Sequence, residues 1–138
     1  MQNLGEHKLK ITATDEAGNQ GEKEISFQLE TNIKAIIDNV NRYATAGLIK
    51  NKADKTVLIS RLKLIQGIKE LIKTIEDSRF FNSRTKEKLV KALEEQINGQ
   101  LNWLVEYVKQ RSKAGAVNGI DSKIGSLLIE DFNFVKYN

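Results

Sequence analysis

Residues 54–78 read DKTVLISRLKLIQGIKELIKTIEDS. Leu58, Leu62, Ile65, Ile68, Ile72 and Ile75 recur at three- and four-residue steps, and Val57, Leu64 and Leu71 form a second row beside them. That is the spacing of a helix, and more than half of its circumference is apolar. A helix of this kind has to be covered on at least two sides. It is therefore expected at the centre of a small bundle rather than on a surface.

Working outward, Ile33, Ile36, Ile37, Val40, Tyr43 and Ala44 make one apolar stripe, with Thr31 or Asn32 as cap and Gly47 as stop, so a first helix is expected over 32–46. Asp54 is the expected cap of the central helix. After Arg79-Phe-Phe-Asn-Ser83, Asn82 or Ser83 can cap a third helix, in which Leu89, Leu93, Ile97, Leu101, Leu104, Val105 and Val108 line up as far as Lys113 and Gly115. Similar length and a tight turn make helices two and three an antiparallel hairpin. Gly67 and Gly99 fall at nearly the same height in it, which suggests either close helix contact or a kink, most naturally at Asn98-Gly99. Ala114 to Gly119 read as a flexible loop, and Asp121 caps a last helix carrying Ile124, Leu128, Phe132 and Val135.

Before Glu30 the period is two. Leu9, Ile11 and Ala13 alternate with Lys8, Lys10, Thr12 and Thr14; Ile25, Phe27 and Leu29 alternate with Glu24, Ser26 and Gln28. The turn-rich run 15–21 between them makes a β-hairpin. An isolated hairpin is marginal in water, so its strands pack on the helices or close a larger sandwich. The change of period puts the domain boundary between residues 30 and 31. The expected fold is mainly α: a four-helix up-and-down bundle over 31–138, preceded by a short antiparallel β-hairpin over 1–30.

Of the 138 residues 40% are apolar and 29% charged, a balance that supports a core and argues against disorder. The absence of Cys excludes disulfides, thiolate catalysis and cysteine-bound zinc. No apolar run approaches the roughly 20 residues that cross a bilayer, so no membrane insertion is expected, and no leader sequence is evident. Residues 1–30 hold three Lys against six Asp and Glu, a net of −3; the remainder carries +7 of the overall +4. The basic helical part is either a solvated lysine-rich surface or a face that attracts anionic polymers.

Catalytic patterns are missing. The single His, His7, lies in a strand, and neither GxSxG nor HExxH occurs. Glu94 and Glu95 are neighbours about 100° apart on a helix and do not face each other. The carboxylates around Asp15 to Glu22 lack the EF-hand order, so a solvated turn is preferred to a Ca²⁺ site. No phosphate loop joins a strand to a helix, and neither a cofactor nor a nucleic-acid partner is expected. Trp103 and Tyr107 both project toward one flank of the third helix's apolar stripe, where they pack on a neighbouring element or present an aromatic surface to sugar or protein. Phe80 and Phe81 at the turn pose the same choice.

Two resemblances bear on function. Gly5, His7, Ala13, Asp15, Ala17, Gly18 and Asn19 in GEHKLKITATDEAGNQGEKEISFQL resemble the closing strands of Ig-like repeats in secreted and surface-attached bacterial proteins, a resemblance that implies an Ig-like origin for the hairpin. The helical part, through Tyr43-x-x-x-Gly47-Leu-Ile-x-Asn51, Leu58-Ile-Ser-Arg-Leu62, Leu101-Asn-Trp-Leu-Val-Glu-Tyr-Val108, Gly119-Ile-Asp-Ser and Leu127-Leu-Ile-Glu-Asp131, is similar to FIMAH-type modules. Those helical modules accompany secreted hydrolases, lyases and proteases of Gram-positive bacteria and often follow Ig-like repeats. The span from Leu62 to Leu101 is longer than their usual pattern, as though the central hairpin were extended.

The resemblance supplies no catalytic residues. It implies a non-catalytic accessory module of a secreted or cell-wall-associated protein that binds a polysaccharide or an anionic cell-wall polymer. The basic helical face would attract it, and Trp103, Tyr107 and Phe80, from their own positions on the third helix and the turn, would make the contact. The upstream Ig-like and catalytic domains of the parent chain would be its other partners. The alternatives are a structural spacer or protein-docking module, and a small independent enzyme.

Overall fold

The computed structural model describes residues 4–113 and 117–137. The chain divides into two compact units, one ending at Glu30 and the other starting at Thr31. In the first, β1 (Gly5–Thr14) pairs antiparallel with β2 (Gln20–Leu29). The register places Leu9 against Ile25 and Lys10 against Glu24, so the two faces differ in chemistry. One is laced by Lys8–Glu24 and Lys10–Glu22 ion pairs. The other carries Leu9, Ile11 and Ile25, all substantially exposed.

The expected turn is made by Asp15. Its carboxylate accepts from the backbone N–H groups of Ala17 and Asn19 and from the Asn19 amide, while Gly18 takes a positive φ of 85°. The Asn19 side chain foremost holds the Asp15 carboxyl below its ordinary pKa. With its oxygens spent on the loop itself, Asp15 is the device that closes the hairpin.

The second unit is four helices: α1 (Ile33–Thr45), α2 (Lys52–Asp77), α3 (Ser83–Arg111) and α4 (Ser122–Phe134). Each packs on the next in sequence, and α1 also meets α4 and closes the ring. Side-chain caps start every helix: Asn32 accepts from Ala35, Asn51 from Ala53, Asn82 from Thr85, and Asp121 from Lys123 and Ile124. Helix α1 ends in a Schellman motif, with Gly47 at φ 74° and Leu48 N–H donating to the Tyr43 carbonyl over 2.9 Å. At the same end of the bundle the two interhelical connections are tied together. Ile49 and Ile120, both buried, form a β-bridge. The loop expected over 114–119 falls partly on residues 114–116, outside the described residues, as does Gly115.

The core is the predicted α2 stripe of Leu58, Leu62, Ile65, Ile68 and Ile72, closed by Ile36 and Val40 of α1, Ile97, Leu101, Leu104 and Val108 of α3, and Leu128 and Phe132 of α4. Helix lengths then shape the bundle. At 1.5 Å per residue, α2 with 26 residues and α3 with 29 span roughly 40 Å, whereas α1 and α4, with 13 each, span about half of that. The α2–α3 hairpin therefore extends beyond its two short neighbours. Where coverage ends, Asn98 clips the C-terminal segment: its amide donates to the Tyr137 carbonyl (2.6 Å) and accepts from the Tyr137 N–H (2.8 Å).

Four expectations are corrected. Asp54 does not cap α2; Asn51 does, and Asp54 lies buried in the first turn. Leu64 and Leu71 are about half exposed, because α1 and α3 cover only part of the apolar girth of α2. Leu89 likewise lies open to solvent. Gly67 and Gly99 mark neither a kink nor a contact. Both helices run through them unbroken, and a Cβ on either would meet nothing within 4 Å. The glycine that does permit close packing is Gly125 of α4, where a Cβ would fall 2.5 Å from the Ser112 Cβ.

Candidate functional site

Helices α2 and α3 lie antiparallel, and near their covered end they leave a groove of about 560 Å³ lined by Thr56, Val57, Ser60, Arg61, Leu64, Trp103 and Tyr107. Trp103 and Tyr107 are one helical turn apart, so their rings stack, with centroids 5.1 Å apart and planes inclined by 16°. Arg61 reaches across from α2 and lays its guanidinium 4.1 Å from the Trp103 ring centre, a cation–π contact. An Arg61 N–H also donates to the Gln100 side-chain carbonyl. The guanidinium is therefore held in position by two partners on α3 where it lines the groove.

Beneath this surface lies a polar anchor. Arg111 donates to both oxygens of Asp54, from Nε at 2.9 and 3.1 Å and from Nη2 at 3.0 Å, and the Tyr107 hydroxyl donates to Asp54 Oδ1 over 2.6 Å. Asp54 is only 2% exposed, so a bidentate arginine and a phenol replace the water it has lost. Burial, then the bond to Asp54, push the Tyr107 phenol up to about 12. Tyr107 thus stays a neutral donor and cannot swing away without stranding part of a buried carboxylate. Arg111 Nη2 also reaches the Asn118 carbonyl at 3.3 Å and so ties the following loop to the same point.

The two aromatic candidates come together, each in a different role. Tyr107 is half-buried and fixed from below, while Trp103 keeps 40% of its surface open. Phe80 stands apart. It is 97% exposed at the α2–α3 turn, past the end of α2 at Asp77, which itself lies about 20 Å along the helix from Leu64. Phe81 beside it is 43% exposed. His7 faces Phe27 across the hairpin.

Arg61 and Arg111 are not singled out by the sequence, and Asp54 is read there only as a helix cap. Trp103, Tyr107 and Arg111 do recur every four residues, which places them on one stripe of α3. Nothing in that spacing reveals that Asp54, more than fifty residues away, is the acceptor of Tyr107 and Arg111. Chemically the groove offers an aromatic edge, two hydroxyl-bearing side chains and a fixed cation. Asp54 and Tyr107 are locked to each other below it, and no nucleophile stands beside a base there. Among the described residues no group of three His, Asp or Glu is placed to hold a metal ion, and no helix is long and apolar enough to cross a membrane.

No protein-family model matches the chain, and neither a curated protein nor a solved structure does.

Proposed function

We propose that the helical unit is a non-catalytic accessory module of the FIMAH type, part of a secreted or cell-wall-associated protein, and that its α2–α3 groove binds an acidic polysaccharide. The observation that carries the reading is the Arg61 guanidinium fixed against Trp103 at the mouth of a groove that also holds Thr56 and Ser60. Sugar rings present C–H faces to an aromatic surface and hydroxyls to polar side chains, while a carboxylated sugar pairs with a guanidinium through two parallel hydrogen bonds. The +7 charge of residues 31–138 draws such a polymer from a distance.

Affinity electrophoresis through gels containing a polyuronate, a polyol phosphate or a neutral β-glucan tests this. The expected result is retardation by the polyuronate that weakens with salt, as screened attraction must, and that is lost in both Arg61→Ala and Trp103→Ala. Equal mobility in every gel would overturn it and leave the docking role.

A further inference from the structure

We propose that two copies of this chain pair through the exposed face of α2, antiparallel about a two-fold axis near Ile65 and Gln66. Val57, Leu64 and Leu71 recur at steps of seven along a 26-residue helix, a spacing that keeps one row facing a partner helix. The structure leaves this row outside the bundle: Leu64 and Leu71 are each 48% exposed. Ser60, Gly67 and Thr74 run beside it at the same interval, all exposed, and together the two rows occupy roughly 100° of the helix surface.

Antiparallel pairing meshes these rows in every layer. Leu64 meets the partner's Gly67, Leu71 the partner's Ser60, and Val57 the partner's Thr74, each contact occurring twice by symmetry. In the same register Lys63 faces the partner's Glu70, and both residues are solvent-exposed on the flank of the row. A parallel pair would set Gly67 against the partner's Gly67 and leave Lys63 without an acidic counterpart. The charge pattern therefore selects a second copy in one orientation. Pairing also accounts for Gly67, which has nothing within 4 Å of its Cβ position and weakens an unkinked helix. Its lack of a side chain gives the partner's Leu64 a place to sit.

Val57 and Leu64 also line the aromatic groove, so pairing and glycan binding compete for them. The pairing itself is measured without glycan. Sedimentation equilibrium of the whole chain, from about 10 µM to about 1 mM, is expected to show a reversible monomer–dimer equilibrium. Lys63→Glu and Glu70→Lys should each weaken it roughly tenfold, through two like-charge contacts per dimer, and the double exchange should restore it. Leu64→Lys should abolish it with unchanged circular dichroism. A chain that stays monomeric throughout that range would overturn the proposal, as would a dimer indifferent to Leu64→Lys and to the charge exchange.

Discussion

The bundle buries two aspartates, at opposite corners, and treats them differently. Asp54, between α2 and α3, meets an arginine in bidentate geometry and a tyrosine hydroxyl. Asp131 of α4 is also buried, at 8% exposure. Burial first, with the charge of Glu130 adding to it, pushes its carboxyl up to about 6, although the Asn39 side chain pulls the other way. A carboxylate deprived of water is stable only where the charge is matched. The contrast separates a corner built to hold an ion from one better suited to a neutral acid.

The largest effect expected from breaking this contrast is at Asp54. Asp54→Ala removes the acceptor of both Tyr107 and Arg111. It should cost about 3 kcal/mol in denaturant unfolding, the low end for a broken buried pair because a third of the Arg111 side chain is open to water. The same variant should release Tyr107 and disturb the Trp103 stack, visible as a changed near-ultraviolet dichroism.

Asp131→Asn should do the opposite. The folded pKa of about 6 lies above the ordinary 3.8, so between those values the native state holds more protons than the unfolded one. Stability from this group is complete below pH 3.8 and is lost as pH rises through 6. Removing the charge should therefore raise stability at pH 7 by about 3 kcal/mol, and by close to nothing at pH 3.5. A stabilisation of the same size at both pH values would show that ionisation is not the cause.

Two smaller changes sharpen the picture. Tyr107→Phe leaves Asp54 with its arginine and should lose about 1.5 kcal/mol, the worth of one hydrogen bond to a charged group. Asn98→Ala unclips Tyr137 from α3 and should lose about 1 kcal/mol, read most sharply as faster amide exchange at Tyr137.

The elements themselves were plain in the sequence because each carries a clean period and a capping side chain. Asp121 is the cap the sequence indicates, and of Thr31 or Asn32 and of Asn82 or Ser83 the asparagine is the cap in each case. Asp54 misled because Asp is equally at home as an N-cap and as a buried anion, and the choice depends on Arg111, which only tertiary structure brings near. The α2 stripe was legible as core, but its width was not. Periodicity places Leu64 beside Ile68 without saying how far α1 and α3 reach around the helix. Gly67, Gly99 and Gly125 look alike in sequence, and only the packing of α4 on Ser112 distinguishes the one that is needed. Trp103 and Tyr107 could be placed on a common flank, whereas Arg61, which turns that flank into a charged groove, sits on a different helix.

Emission from Trp103, the only tryptophan in the chain, tests the central claim most directly. With its ring stacked on Tyr107 and capped by Arg61 yet 40% exposed, titration with a soluble polyuronate should move the emission saturably, and Arg61→Ala should abolish the change. An emission that no acidic or neutral polymer moves would contradict the assignment of this groove as a glycan site.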